Sequence, residues 1–366
     1  MEVHHSTNGS ILKADFGFNG VIDDHDRQTF QLLLLSLSRM TSHSLPRSYR
    51  SRERLLPLIR YMGRLYDADI EGIDEFGTFQ EILDQVDSNK TTGVFNSNEK
   101  LNFLAPKCED FMIKCKWGGK FLNCSQLFDY RLTSEGFCCT FNYVRVGDGY
   151  ETRVEPRSPA GIGSDQGLTV LMNLSMADYY YPLKNFAGAT ALIFDPNEYA
   201  DSATGSVREV PVDANDEIRV TLNMNTKVAV QEVQRYTIEM RECMFGNDLK
   251  EEWRGKYEYG DCLSKCKLRS IIALCKCKTF NLPDNFWDIE TKDVPYCSLA
   301  NIQCLNKYRI KWLTYKPREA IKGLEREMED SLDCNTCYPL CSSSTYIVDS
   351  TSTKLNFNYV NKGSVM

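Results

Sequence analysis

Fifteen cysteines, none before position 108, constrain this 366-residue chain more than any other feature. They fall in two blocks. Cys108, Cys115, Cys124, Cys138 and Cys139 make the first. Cys243, Cys262, Cys266, Cys275, Cys277, Cys297, Cys304, Cys334, Cys337 and Cys341 make the second. Cysteine at this density belongs where disulfides persist, outside the reducing cytosol. Four N-x-[ST] sequons, at Asn8, Asn89, Asn123 and Asn173, fit the same lumenal or extracellular face as candidate N-glycosylation sites. Zinc is the competing use of the sulphurs, since Cys334/Cys337 and Cys275/Cys277 are short ligand-like pairs. Metal sites usually answer one pair with another at similar spacing; the uneven gaps of the second block read instead as a nested set of disulfides.

Charge and motif content exclude several function classes. Lys+Arg 43 against Asp+Glu 50 leaves a net charge of -7, with no clustered basic face for nucleic acid. Gly161-Ile162-Gly163 has the wrong continuation for a dinucleotide fingerprint and precedes a strand, so it reads as loop. There is no phosphate-binding Walker loop and no nucleophile elbow. The four histidines, His4, His5, His25 and His43, are remote in sequence from every cysteine, which disfavours a Cys/His nucleophile. The expectation is no catalytic residue, no cofactor and no metal. Carboxylates cluster at Glu151/Glu155, Asp213/Asp216/Glu217 and Glu325/Glu327/Glu329. They read as solvated faces unless folding brings some together, when each would raise its neighbour's pKa.

No segment reaches the roughly 18 apolar residues of a membrane-spanning helix. Leu32–Leu35 is cut short by Ser36, Ser38 and Arg39. Glu2, His4 and His5 stand where a signal peptide would be basic, and no apolar core follows. An oxidised chain without either feature is expected to be part of a longer polypeptide.

Four segments follow from composition. Residues 1–105 are cysteine-free, with helical spacing at Phe30, Leu33, Leu34 and Leu37, at Leu55, Leu58, Ile59, Met62 and Leu65, and over a shorter stretch at 78–86. Residues 106–235 carry β-branched, alternating runs at Cys139–Val146, Leu168–Leu174, Ala189–Phe194 and Ile218–Met224, with a Gly- and Pro-rich loop over 147–167. Residues 236–345 hold the second cysteine block, with helices expected at 247–257 and 318–332. Residues 346–366 continue a strand beginning at Thr345 that has little to pair with.

Cys115-Lys116-Trp117-Gly118, Cys124, Phe128, Thr133 and Gly136-Phe137-Cys138-Cys139-Thr140-Phe141-Asn142, taken in order, resemble the extracellular signature of the degenerin/epithelial sodium channel family. The doubled cysteine and the C-x-W are similar to its insect pickpocket branch. Tyr259-Gly260-Asp261-Cys262, Cys266, Cys275 and Cys277 resemble the family's entry into a cysteine-rich thumb. Pro295-Tyr296-Cys297, Cys304, Cys334, Cys337-Tyr338-Pro339-Leu340-Cys341 and Tyr346 resemble its exit. The resemblance spans about residues 106–350.

It implies an α+β, hand-like extracellular region: antiparallel palm and β-ball sheets, a helical finger and a disulfide-stapled helical thumb. The finger helices would lie in 1–105, the end of the finger with β-ball and palm strands in 106–235, the thumb in 236–345, and the start of a palm return strand in 346–366. It implies a sodium channel subunit at the plasma membrane, gated by a ligand or by force, working in a homo- or heterotrimer with sodium ions permeant and an extracellular ligand as further partner. The alternative is a secreted disulfide-rich binding module derived from such a channel. The implied thumb pairs are Cys243–Cys341, Cys262–Cys337, Cys266–Cys334, Cys275–Cys304 and Cys277–Cys297. Cys115–Cys124 belongs to the first block. Without the family's upstream cysteine, one of Cys138 and Cys139 lacks a partner and Cys108 takes the other. Met240 stands where the family places an aromatic three residues before the first thumb cysteine. Neither the second membrane helix nor its selectivity motif is present, so this stretch makes no pore by itself.

Overall fold

The computed structural model describes residues 2–5, 77, 80–81, 105–145, 155–161, 163–176, 184, 186–250, 257–283, 286 and 291–355. The helices expected over 24–40 and 51–66 lie outside the described residues. Of 78–86, only Gln80 and Glu81 are described, and both are helical.

Among the described residues ten strands form a mostly antiparallel six-stranded sheet and two hairpins. The sheet runs β10 (Ser342–Lys354), β9 (Asp216–Val228), β1 (Glu2–His5), β6 (Leu168–Met172), β2 (Met112–Trp117) and β3 (Lys120–Leu122), with only β1 and β6 parallel. β4 (Phe128–Thr133) pairs with β5 (Gly136–Phe141), and β7 (Gly188–Ile193) with β8 (Arg208–Asp213). Alternation decides which side is covered. Val210 and Val212 of β8 and Ile218 and Val220 of β9 are buried with Leu168, Val170 and Met172 of β6 in one core. Trp117 and Phe128 close it against Phe141, with ring centroids 4.9 and 6.0 Å away.

Six short or medium helices lie among the described residues outside position 81: α1 (Cys108–Phe111), α2 (Ile238–Arg241), α3 (Tyr259–Cys275), α4 (Ile302–Lys307), α5 (Arg309–Leu313) and α6 (Glu325–Asp330). A second core surrounds α3, where Leu263, Leu268 and Ile271 pack with Leu305 and Trp312 and with the cysteines of the second block. The indole Nε1–H of Trp312 donates to Ser270 Oγ at 3.0 Å, so the ring is buried without an orphaned donor.

Several expectations are corrected. The strand at Thr345 does not lack a partner: β10 starts at Ser342 and pairs with β9 at all thirteen of its positions, from Ser342↔Val228 to Lys354↔Asp216. The strand expected over 139–146 ends at Phe141, because Asn142 takes a left-handed φ of 59° and its amide pins Arg157 through two hydrogen bonds. The expected 247–257 helix is one 3-10 turn, Gly246–Asp248, at its described end; the Asp248 carboxylate accepts from Phe245 N and from Arg241 and holds the turn. The expected 318–332 helix shrinks to α6, since Gly323 sits at φ 91°, outside helical space, and Leu332 bridges Tyr315 in extended form. The longest helix among the described residues, α3, is not expected from the sequence, because its apolar stripe is broken by Ser264 and Lys265, both buried.

Candidate functional site, a helix held on two sides

The cysteines of the second block fold α3 into a covalent frame. Cys262 and Cys266, one turn apart on the same face, bond Cys337 and Cys334. Cys275, the last residue of α3, bonds Cys304, and Cys277 bonds Cys297. Cys243–Cys341 encloses all four, with a sequence separation of 98. The bonds are strictly nested, so the chain climbs α3 and descends rung by rung. The pairs once weighed as zinc ligands, Cys275/Cys277 and Cys334/Cys337, each send their two sulphurs to different partners. Among the described residues no group of three or more His, Cys, Asp or Glu side chains is placed to hold a metal.

The outermost rung stands at the root of the long ribbon β9–β10. Cys341 immediately precedes Ser342, the first residue of β10, and its carbonyl accepts from Ala229 N at 2.9 Å, one residue beyond β9. Met244 N donates to Pro339 O, and Cys341 N to Met244 O, so both strands enter the frame through hydrogen bonds as well as sulphur.

The opposite face of α3 is gripped by the loop after β7. At 100° per residue, Gly260, Ser264 and Lys267 form a stripe roughly opposite Cys262 and Cys266. Glu198 accepts from Gly260 N at 3.2 Å. Asp201 accepts from Ser264 Oγ at 3.2 Å and pairs with Lys267 Nζ at 3.4 Å. Gly260 leaves room for this approach: a Cβ there would meet Glu198 Oε2 at 2.9 Å and push the carboxylate aside. At the centre is Asp261, which accepts from Tyr199 N at 2.6 Å and from Arg145 Nε at 2.7 Å. The Arg145 and Asp261 side chains are 4% and 2% exposed. Arg131, also buried, donates to the carbonyls of Tyr143 and Arg145 and holds that segment in place. Thus α3 is bonded to its own return chain on one face and clamped to the sheet-bearing part on the other.

Carboxylates do converge here, but not those that cluster in sequence. Burial, and then the nearby Asp195, Glu198 and Asp261, push the Glu258 carboxyl up to about 8. Burial likewise raises Glu198, opposed by its bonds from Ser206 and Gly260 N. Of the sequence clusters, Glu325, Glu327 and Glu329 are exposed on α6, Glu155 is exposed and Glu151 lies outside the described residues. Asp216 is buried at the start of β9, where Ser352 and Lys354 of β10 donate to it.

In the first block Cys115 bonds Cys124, and Cys108 bonds Cys139. Cys138 keeps its thiol, half-buried, 3.2 Å from Thr133 Oγ1; burial raises its pKa. Asn123 is exposed and Asn173 half-buried, and each side chain accepts from the backbone N–H of the serine two residues on. Asn8 and Asn89 lie outside the described residues. Arg145, Glu198, Tyr199, Asp201 and Gly260 were not singled out from sequence as a site. The Gly260-Asp261 step before Cys262 was the only available signal, and its partner Arg145 lies 116 residues away.

A family model described as amiloride-sensitive sodium channel matches residues 22–365. The sodium channel protein Nach of Drosophila ananassae is 24% identical over 198 residues, 54% of this chain and 36% of its own length. Pickpocket protein 28 of Drosophila melanogaster is 25% identical over 282 residues, 66% of this chain and 42% of its own. Nach of Drosophila virilis is 25% identical over 198 residues, covering 54% and 48%. The chain spans less than half the length of these curated relatives. No helix among the described residues is long and apolar enough to cross a membrane.

Proposed function

The chain belongs to the amiloride-sensitive sodium channel family, among its insect pickpocket-type members, and from that membership we propose that it forms the extracellular region of a sodium channel subunit. The family match over 22–365 carries the reading. Seven disulfides within one chain support the extracellular placement, because the cytosol would reduce them.

In this reading residues 1–105 supply the finger, 106–235 the β-ball and palm strands, and 236–345 the thumb, with three subunits around one pore. The thumb works as a bar. Its rungs keep α3 from bending, the bonds of Asp261 to Arg145 and to Tyr199 N couple it to the segment after β5 and to the loop between β7 and β8, and the Cys243–Cys341 rung delivers its displacement to β9 and β10. A ligand or a force that shifts the bar then reaches the membrane through two strands rather than through a loop. No residue here is assigned a catalytic role.

Voltage clamp of cells expressing the full-length subunit, alone and with related subunits, tests this. A current that reverses near the sodium equilibrium potential, and changes when an impermeant phosphine reduces the extracellular disulfides, is the expected result. Surface protein that passes no sodium current with any partner refutes the reading.

A further inference from the structure

β3 (Lys120–Leu122) is one edge strand of the sheet, opposite β10, and it presents apolar side chains to solvent. Phe121 is 55% exposed, and Ile113 on the neighbouring β2 is 45% exposed. With Met112, Leu122 and Asn123 they line a groove of about 540 Å³. A large exposed aromatic on a free edge invites strand addition or hydrophobic association unless something covers it.

Asn123 follows immediately, in the sequon Asn123-Cys124-Ser125. Its backbone is still extended, at φ -63° and ψ 129°, and it lines the same groove as Phe121. Its Oδ1 accepts from Ser125 N at 3.2 Å, and its Nδ2 has no hydrogen-bond partner among the described residues. Asn173 makes the same turn with Ser175 but is half-buried. It is flanked by the buried Met172 and Leu174, and the residue two before it, Leu171, is buried too. Only Asn123 of these two has an open aromatic face beside it.

We propose that Asn123 carries an N-linked glycan whose first sugar lies on the Phe121 ring and roofs this groove. The inference rests on the extracellular placement proposed above. The donor is a lipid-diphosphate-linked oligosaccharide in the secretory pathway. Nδ2 forms the bond to its anomeric carbon, the carbon–oxygen bond to the phosphate breaks, the amide gives one proton to the transferase, and the lipid diphosphate leaves. The sugar's C–H face then meets the electron-rich ring face, and its hydroxyls remain in water. The glycan also keeps a second strand from adding to β3.

The test uses the full-length protein made in animal cells. Enzymatic deglycosylation in ¹⁸O-water marks each occupied asparagine for peptide mass spectrometry. The expected result is a marked Asn123 in most molecules. A Lys227→Thr variant completes a sequon at the exposed Asn225 on β9 and serves as the topology control. Asn225 marked with Asn123 bare overturns the glycan and leaves the extracellular reading standing; both bare overturns the two together. Packing is read by thermal unfolding. Asn123→Gln and Ser125→Ala, which removes the sequon but keeps Asn123, should each lower the midpoint by a few degrees. Phe121→Ala should lower it in the glycosylated protein and not in either sequon variant. An equal Phe121→Ala effect with and without the glycan overturns the stacking.

Discussion

Replacing Asp261 by Asn tests whether the clamp on α3 depends on charge. Asparagine keeps the size and can still accept from Tyr199 N, but it leaves the Arg145 guanidinium buried without its counter-charge. The two side chains are 2% and 4% exposed and 2.7 Å apart. At an exposed site such a pair would be worth about 0.2–1 kcal/mol. Removing one partner of a buried pair costs about 3–5 kcal/mol, because the remaining charge keeps its desolvation penalty. Asp261 also lies in the first turn of α3, where a negative charge adds roughly 0.5 kcal/mol against the helix dipole. With a urea dependence of about 3 kcal/mol per molar, the midpoint should fall by roughly 1–2 M. The double variant Asp261→Leu/Arg145→Met should recover most of that loss, since an apolar pair of similar volume removes both charges from the interior. Urea titration followed by tryptophan fluorescence reads both. A midpoint within about 0.3 M of the parent for Asp261→Asn would show that water reaches Arg145, and the clamp would then be no more than a surface contact.

Other consequences can be checked on the same protein. Glu258 has a folded pKa of about 8 against 4.5 when exposed, so the folded state holds the extra proton between those values. The sign follows: the Glu258 contribution to stability is fully present below about pH 4.5 and is lost as pH rises to about 8, by at most roughly 5 kcal/mol. Glu258→Gln should flatten the unfolding midpoint between pH 5 and 8, and an unchanged slope would count against a buried, carboxylate-surrounded Glu258. Paired Cys243→Ser and Cys341→Ser opens the outermost rung; with Cys262–Cys337 intact the loop released is only about two dozen residues, costing about 3 kcal/mol in the chain-entropy account. The innermost rung, Cys277–Cys297, with a separation of 20, should cost about the same, so the two paired variants should lower the denaturation midpoint by similar amounts. The chain should show one free thiol, Cys138, that reacts with Ellman's reagent far faster after unfolding than before, since the thiolate is disfavoured by burial.

What could be read in the sequence depended on how local its cause was. β-branched alternation located β6, β7 and the core-facing half of β9, because alternation is a property of neighbours along one strand. It failed where a single residue changed the backbone: Asn142 ended β5 and Gly323 broke the expected long helix, both through positive φ. It placed a strand at Thr345 but not its partner or its full length: the Ser- and Thr-rich sequence of β10 has a weak apolar signal, and its stability comes from thirteen register partners on β9. α3 was obscure for the opposite reason. Its buried Ser264 and Lys265 look like surface residues until the loop carrying Asp201 is folded against the helix.

The candidate site divides along the same line. The cysteine spacing and the short motifs around it were enough to identify the family, because those residues sit close in sequence and in fixed order. Which carboxylates would meet was another matter. Glu325, Glu327 and Glu329 crowd together in sequence and point into water, while Glu198, Glu258 and Asp261 arrive from two segments some sixty residues apart. From the amino acids alone came the helix-and-strand class, which follows from local order, and the channel lineage, which follows from the resemblance carried by the cysteine motifs. Only the folded chain decided that Arg145 and Asp261 neutralise each other out of reach of water, since desolvation and Coulomb attraction are set by distance in space and not by separation along the backbone.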